Sequence, residues 1–225
     1  MTIYDLTRAL PDIATLRDRC RAMAALELVI SGNEGDCYFS YDPAWGQGEE
    51  VALMDNGSGD DYAIVFTGAG VFGFGFDHES PMSPWAGDEG APWPGLIDGI
   101  PEVLLPLTTE PAFCQGEGVL NATAVFWRET ADTAWRAGKV EFPEGRSDPD
   151  GTDYLFDILA AGTPEAYHAF AEDYYETDLP LEAVRHVWSL RPLTQAVVDA
   201  LNPGLPLEAV APRLVRAGYP QTPQV

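Results

Sequence analysis

The sequence predicts an α+β fold, with an N-terminal helix, an antiparallel β-meander sheet and then a helical C-terminal part. Three observations predict it: apolar residues at helical spacing before residue 31, short alternating segments with glycine-rich turns from residue 37, and helical patterns after residue 150. We predict a single α+β domain over residues 1–225, made of an N-terminal helix (1–35), a sheet-containing part (36–143) and a helical part (144–225).

The first predicted element is an amphipathic helix over residues 11–30. Leu16, Cys20 and Met23 stand three or four positions apart, which places them on one helical face. Ser31 and Gly32 follow the last apolar residue and are typical of a helix end.

Strands are predicted over residues 37–42 and 49–56, with two more in 60–77 that are separated by a glycine turn at 67–70. The short connections favour antiparallel neighbours. In the last strand Phe72, Phe74 and Phe76 alternate with Gly73 and Gly75, so one face is aromatic and the other is nearly bare. A bare face permits close approach of another part of the protein. It also explains the G-x-G-x-x-G pattern here without a dinucleotide site, which would need a helix to follow.

The chain then becomes rich in proline and glycine. Residues 78–111 are predicted to be a long loop with room for one short helix near 96–105. A turn at 149–151 is expected to cap the first helix of the C-terminal part. The remaining predictions are strands over 119–129 and 138–143, a helix that starts at Thr163 and Pro164, and helices over 181–190, 193–201 and 207–217.

The charge balance excludes two classes of partner. The chain has 36 acidic and 12 basic residues, which gives a formal net charge of -24. Such a surface repels nucleic acid and anionic membranes, so we predict neither as a partner. The charge either serves solubility alone or complements a basic protein. The sequence leaves the oligomeric state open.

The cysteines and the N-terminal segment indicate the compartment. Cys20, Cys37 and Cys114 are widely spaced and form no C-x-x-C pair, which predicts reduced core cysteines rather than a zinc site or disulfides. We expect no metal and no cofactor. The chain starts without a signal-peptide pattern, and no apolar run reaches membrane-spanning length. These features predict a cytoplasmic protein.

One short segment holds the candidate chemistry. Asp77, His78 and Glu79 lie together where a predicted strand opens into the long loop, a position that catalytic groups often occupy. A histidine beside carboxylates could act as an acid or base, or could ligate the metal of a hydrolase. One histidine does not make a site, however, and the interpretation that we favour is a protein that is not an enzyme.

A second set of residues predicts a protein-binding surface. The tryptophans at 45, 85 and 93 fall in loops, and loop tryptophans rimmed by acids resemble a binding hot spot. The alternative is that the indole rings fold back to cover the sheet. The predicted partner-binding residues are Trp45, Asp60, Asp61, Asp77, Glu79, Trp85 and Trp93.

Four segments are distinctive: "AWGQGEEVALMDNGSGDDYAIVF", "GFDHESPMSP", "EFPEGRSDPDGTDYLFDIL" and "AFAEDYYE". Together they resemble a bacterial protein family to which no activity is assigned, and the resemblance covers most of the chain. The order of helix, meander and helices is similar to the SUKH class of immunity proteins, which neutralise bacterial toxins, as an analogy of fold class without a shared motif.

Three functional hypotheses follow from these features. The first is a non-enzymatic protein-binding module of immunity or inhibitor type, directed against a basic protein. The second is a hydrolase or metal-dependent enzyme that uses Asp77, His78 and Glu79. The third is a structural protein whose charge matters only for solubility.

Overall fold

The computed structural model describes residues 1–87 and 90–220 and confirms the α+β class, with 38% of the described residues helical and 18% in strands. Two helices come first, the sheet follows, and further helices end the described part of the chain. The helices are α1 Ile3–Ala9, α2 Ile13–Ile30, α3 Thr152–Ala161, α4 Pro164–Tyr174, α5 Leu181–Trp188, α6 Gln195–Leu201 and α7 Leu207–Arg216. The strands are β1 Phe39–Gly46, β2 Glu49–Asp55, β3 Asp61–Phe66, β4 Gly70–Phe76, β5 Cys114–Gln115, β6 Val119–Leu120, β7 Ala124–Glu129 and β8 Arg136–Ala137.

The main sheet is the predicted meander extended by two strands. Its order is β1-β2-β3-β4-β7-β8, and every neighbouring pair is antiparallel. Strands β5 and β6 form a separate ribbon. At the predicted glycine turn, Thr67 N donates to Gly70 O at 2.8 Å. The four predicted meander strands are therefore confirmed, with shifted bounds.

The sheet separates two hydrophobic layers. On one side, called the helix side below, all seven described helices pack over the sheet around residues such as Leu26 and Phe156. On the other side, called the loop side, the long connection between β4 and β7 folds over Phe72, Phe74 and Trp127. An irregular chain segment, rather than a second layer of helices, therefore covers one face.

Gly73 and Gly75 of β4 lie on the helix side and fit closely against their neighbours. A Cβ atom on Gly73 would lie 2.3 Å from Cζ of Phe126, and one on Gly75 would lie 2.8 Å from Cδ1 of Leu155 in α3. The bare strand face is thus filled by a ring of the neighbouring strand and by a helix, as expected for packing within one protein.

Two predicted strands need correction. Residues 119–129 do not form one strand, because the chain turns at Thr123, whose hydroxyl donates to Asp150 O at 2.8 Å. Residues 138–143 form no strand. There Val140 N donates to the Tyr4 hydroxyl at 2.8 Å, and that hydroxyl donates to Gly138 O at 3.0 Å, so a side chain takes the place of a strand partner.

The predicted helices of the C-terminal part are present with small shifts. Thr163 caps α4 by accepting a hydrogen bond from Ala166 N at 3.3 Å. The Asp148 carboxylate accepts from the backbone of Asp153 at 3.0 Å, which confirms the expected turn before α3. The short helix expected near 96–105 lies later, as a 3₁₀ turn over Leu105–Thr109.

Two further expectations concern thiols and membranes. Cys20, Cys37 and Cys114 are free thiols, but only Cys20 is buried, so the prediction of core cysteines is correct for that residue alone. Among the helices of residues 1–87 and 90–220, none combines the length and the apolar character needed to cross a bilayer.

Candidate functional site

His78 and Asp60 form a hydrogen-bonded pair at one end of the sheet. The antiparallel pairing of β3 with β4 brings them together, because it places Asp61 opposite Phe76. Nδ1 and the backbone N of His78 lie 2.6 and 2.9 Å from Oδ1 of Asp60. Asn56 Nδ2 donates to the other carboxylate oxygen at 2.7 Å.

These contacts set the charges of both groups. The hydrogen bond to the Asp60 carboxylate is the main reason why the pKa of His78 is raised. Burial acts to raise the pKa of Asp60, but hydrogen bonds from His78 and Asn56 outweigh burial and lower it below its ordinary value. The arrangement therefore favours an imidazolium paired with a carboxylate.

Asp77 is the third member of this cluster. Asp60, Asp77 and His78 each offer one ligand atom, and the three atoms lie within 4.8 Å of one another, a spacing that a shared metal ion requires. Glu79 lies outside the cluster with an exposed side chain, and its backbone N donates to Asp77 Oδ1 at 2.9 Å. The His78 side chain is 45% exposed, so the cluster stands on an open rim.

The three tryptophans of the predicted partner surface lie on the loop side. Trp45 stacks on Phe113 with ring centroids 5.1 Å apart, and Trp93 also packs against the loop-side core. Trp85 is 39% exposed, and its Nε1 donates to Asn121 Oδ1 at 2.7 Å. Trp45 and Trp93 thus cover the sheet, as the alternative interpretation expects, while Trp85 remains at the surface.

The acidic members of the predicted set also differ in position. Asp60 is only 7% exposed and its oxygens bind His78 and Asn56, so it can act on a partner only through its charge. Asp77 and Glu79 are more accessible. Binding of a partner by these residues stays a prediction.

A second surface, which the sequence patterns did not reveal, lies between the β2–β3 turn, α3 and α4. Two adjoining clefts of about 330 and 300 Å³ share Asn56 and Tyr174 there. We call this surface the aromatic–acidic face and define it by Asp36, Tyr38, Tyr154, Asp157, Asp173 and Tyr174.

The rings of this face pack on one another and remain accessible. The Tyr174 ring lies 5.4 Å from that of Phe170 and 5.0 Å from that of Tyr38, measured between centroids. Tyr154 and Tyr174 are 53% and 46% exposed. Because tyrosines bury much apolar surface when a partner covers them, exposed rings of this kind are typical of binding surfaces.

The carboxylates of the face have no cation partner in the part of the chain that the structure describes. Asp36, Asp157 and Asp173 form no ion pair with another residue of the described ranges. No lysine or arginine is among the residues that line the two clefts. The face therefore combines exposed rings with uncompensated negative charge.

Asp61 presents a different electrostatic feature on the loop side. It lies directly opposite Asp55 in the pairing of β2 with β3. Burial, followed by the charges of Asp55 and Asp60, raises the pKa of Asp61 to about 7. Its carboxyl group accepts no hydrogen bond from any described residue.

Asp61→Asn is expected to stabilise the fold by about 1–2 kcal/mol at about pH 8 and to change it little at about pH 4. The pKa of Asp61 is about 7 in the folded state, against an ordinary value of 3.8. Below pH 3.8 the carboxyl group is protonated in both the folded and the unfolded state, so it costs the fold nothing. As the pH rises from 3.8 to 7, the unfolded state loses this proton more readily, and the free energy of unfolding falls. Asparagine removes this penalty because it cannot ionise. Urea unfolding at both pH values measures the change, and an equal effect at both would contradict the assignment.

Comparisons with known proteins give no relative, since no protein-family model, curated protein or solved structure matches the chain. The function proposed below rests on side-chain geometry and charge.

Proposed function

We propose that this chain is a non-enzymatic protein-binding module that captures a basic protein, and that it acts as an immunity or inhibitor protein when that partner is a bacterial toxin. One observation carries the proposal. The aromatic–acidic face holds exposed tyrosine rings among carboxylates that no cation of the clefts neutralises.

The negative charge of this face favours a partner with positive charge. Its three carboxylates line the two clefts without a basic residue beside them in the lining, and the net charge of -24 adds to the negative field around them. Lysine and arginine side chains of a partner would be attracted by that field, which would speed the encounter. An acidic partner would meet the opposite effect.

The rings supply the contact energy that charge alone does not. Tyr154 and Tyr174 offer large, stiff surfaces that lose little conformational freedom on binding. A guanidinium or ammonium group above such a ring also gains cation–π attraction. Rings and acids side by side therefore suit a basic protein better than they suit a small neutral molecule.

The first test locates the contact. With a photo-cross-linking amino acid at position 174, we expect a basic protein to be captured in cells. The matched control is position 103, where Val103 is 58% exposed within the loop-side segment. Capture of the same protein through both positions would contradict the assignment of the contact to the aromatic–acidic face.

The second test measures the affinity for the purified captured protein. We expect Asp157→Asn/Asp173→Asn to weaken binding at least about tenfold, and wild-type affinity to fall as salt rises from about 0.05 to 0.5 M. The matched control is Asp98→Asn/Glu102→Gln, which removes the same charge from exposed positions in the long loop. Equal weakening by the two double variants, or an affinity that does not fall with salt, would sink the proposal.

The immunity or inhibitor role has its own readout. When the captured protein arrests growth on its own, co-expression of the wild-type chain is expected to restore growth. Asp157→Asn/Asp173→Asn is expected to restore it less. If the captured protein does not arrest growth, the chain is a binding module and the inhibitor role is wrong.

The second candidate is a hydrolase or metal-dependent enzyme, and the cluster of Asp60, Asp77 and His78 favours it. In that case Asp60 and Asp77 would hold a metal with His78, or His78 would transfer protons. Glu79 would act only from outside the cluster. Zn²⁺ binding that His78→Ala abolishes would favour this candidate over the binding module.

A further inference from the structure

A cleft of about 270 Å³ opens on the loop side of the sheet. Its floor includes Asp55 of β2, Asp61 of β3 and Phe74 of β4. One wall is aromatic, because Phe113 stacks on Trp45 at 5.1 Å and meets Phe74 edge-on at 5.0 Å between centroids. No basic side chain is among the described residues that line it. This size and this lining suit a compound with one ring.

The floor carries two carboxyl groups that form no ion pair with any residue of 1–87 or 90–220. Asp55 and Asp61 are direct cross-strand partners, so their side chains point to the same side of the sheet and like charges repel there. Asp55 accepts a hydrogen bond from Gly57 N at 2.7 Å. The carboxyl group of Asp61 accepts none from the described residues. A bound cation would remove the repulsion.

A buried amide in the wall provides an independent indication of a ligand. Asn121 is 5% exposed, and its Oδ1 accepts from Trp85 Nε1 at 2.7 Å. Because an indole N–H only donates, this contact fixes which end of the amide is oxygen. The other end, Nδ2, donates to no described residue, although Asn121 lines the cleft. Nδ2 is not one of the fully buried atoms without a partner, so it remains accessible, and a ligand oxygen in the cleft would be its acceptor.

We propose that this cleft binds a small aromatic amine, whose ammonium group pairs with Asp61, whose ring lies against Trp45 and Phe113, and whose hydrogen-bond acceptor meets Asn121. The three groups recognise three features of one ligand: charge, flat apolar surface and a polar atom. This cleft adjoins the aromatic–acidic face through Asp55, but the groups that would hold the amine are not among the residues that define that face, so the proposal does not depend on the proposed protein partner.

The test uses tyramine, which has an ammonium group, one ring and a hydroxyl. In calorimetry at about 0.15 M salt and about pH 8, we expect wild type to bind tyramine with a Kd of about 1 mM or tighter. Tyrosol, in which a neutral hydroxyl replaces the ammonium group, should bind at least about tenfold more weakly. This comparison needs only the wild-type protein.

Variants then locate the site. Asp61→Asn is expected to weaken tyramine binding at least about tenfold and to leave tyrosol unchanged. Asp157→Asn is the matched control, because it removes one charge from the aromatic–acidic face and should leave tyramine binding intact. No binding at about 10 mM tyramine, equal affinity for tyramine and tyrosol, or an equal loss in both variants overturns the proposal.

Discussion

Glu27→Ala is expected to destabilise the folded chain by about 3–5 kcal/mol, because it removes the acceptor of one buried tyrosine hydroxyl and of two half-buried donors. Glu27 is 0% exposed in the middle of the helix-side core. Its carboxylate accepts hydrogen bonds from the hydroxyls of Tyr167 and Tyr175 and from Tyr38 N, each at 2.6 Å.

These hydrogen bonds join three parts of the fold. Glu27 belongs to α2, Tyr38 directly precedes the edge strand β1, and Tyr167 belongs to α4. Burial raises the pKa of Glu27, while the hydrogen bonds from Tyr167 and Tyr175 oppose that rise. Alanine would leave the buried Tyr167 hydroxyl without its acceptor, at a cost of about 1–3 kcal/mol, and would also remove the charge-assisted hydrogen bonds of the two half-buried donors.

Urea unfolding of matched variants separates the causes of the loss. Glu27→Gln keeps the volume and one acceptor oxygen, so we expect an intermediate loss of about 1–3 kcal/mol. Glu182→Ala is the control, since Glu182 is 82% exposed and pairs only at the surface with Arg185. Its expected change is within about 0.5 kcal/mol. A loss for Glu27→Ala no larger than that for Glu182→Ala would contradict the role of the carboxylate.

The periodicity of the sequence was enough to predict most helices and the four meander strands, because these depend on local patterns and short turns. The covering of the loop side could not be predicted in this way. It depends on individual contacts between distant positions, such as that of Trp93 Nε1 with Glu141 O at 3.0 Å. Gly95 likewise lies so close to Lys139 that a Cβ atom would be 2.0 Å from its carbonyl oxygen. Neither contact leaves a periodic signal in the sequence.

The candidate sites also combine residues that the sequence indicates with contacts that depend on the fold. The strand end at Asp77 and His78 was recognisable from composition, but their approach to Asp60 depends on the β3–β4 register, in which Asp61 lies opposite Phe76. A turn centred on residues 68 and 69 implies that register. The approach of His78 to Asp60 could therefore have been predicted from the hairpin. The aromatic–acidic face joins Tyr154 and Tyr174 from two helices, and only tertiary packing brings those rings together.

Gly73→Val is expected to destabilise the fold by about 3 kcal/mol or more, although valine is a better strand residue than glycine. The reason is the ring of Phe126, the direct cross-strand partner of Gly73. A Cβ atom on Gly73 would lie 2.3 Å from Cζ of that ring. The ring cannot move aside freely, because Trp135 and Phe156 pack against it with centroids 5.7 and 5.5 Å away.

Two further variants test whether the loss comes from this contact. Gly68→Ala, in the turn before the same strand, meets nothing within 4 Å and should change stability by no more than about 0.5 kcal/mol. Phe126→Ala opens a cavity beside Gly73, so the double variant with Gly73→Val should lose less stability than the sum of the two single losses. Strictly additive losses, or a Gly73→Val protein as stable as Gly68→Ala, would show that the ring does not exclude a side chain at this position. The strand preference of valine would then decide the outcome, and the alternation of glycine and phenylalanine in β4 would have no packing cause.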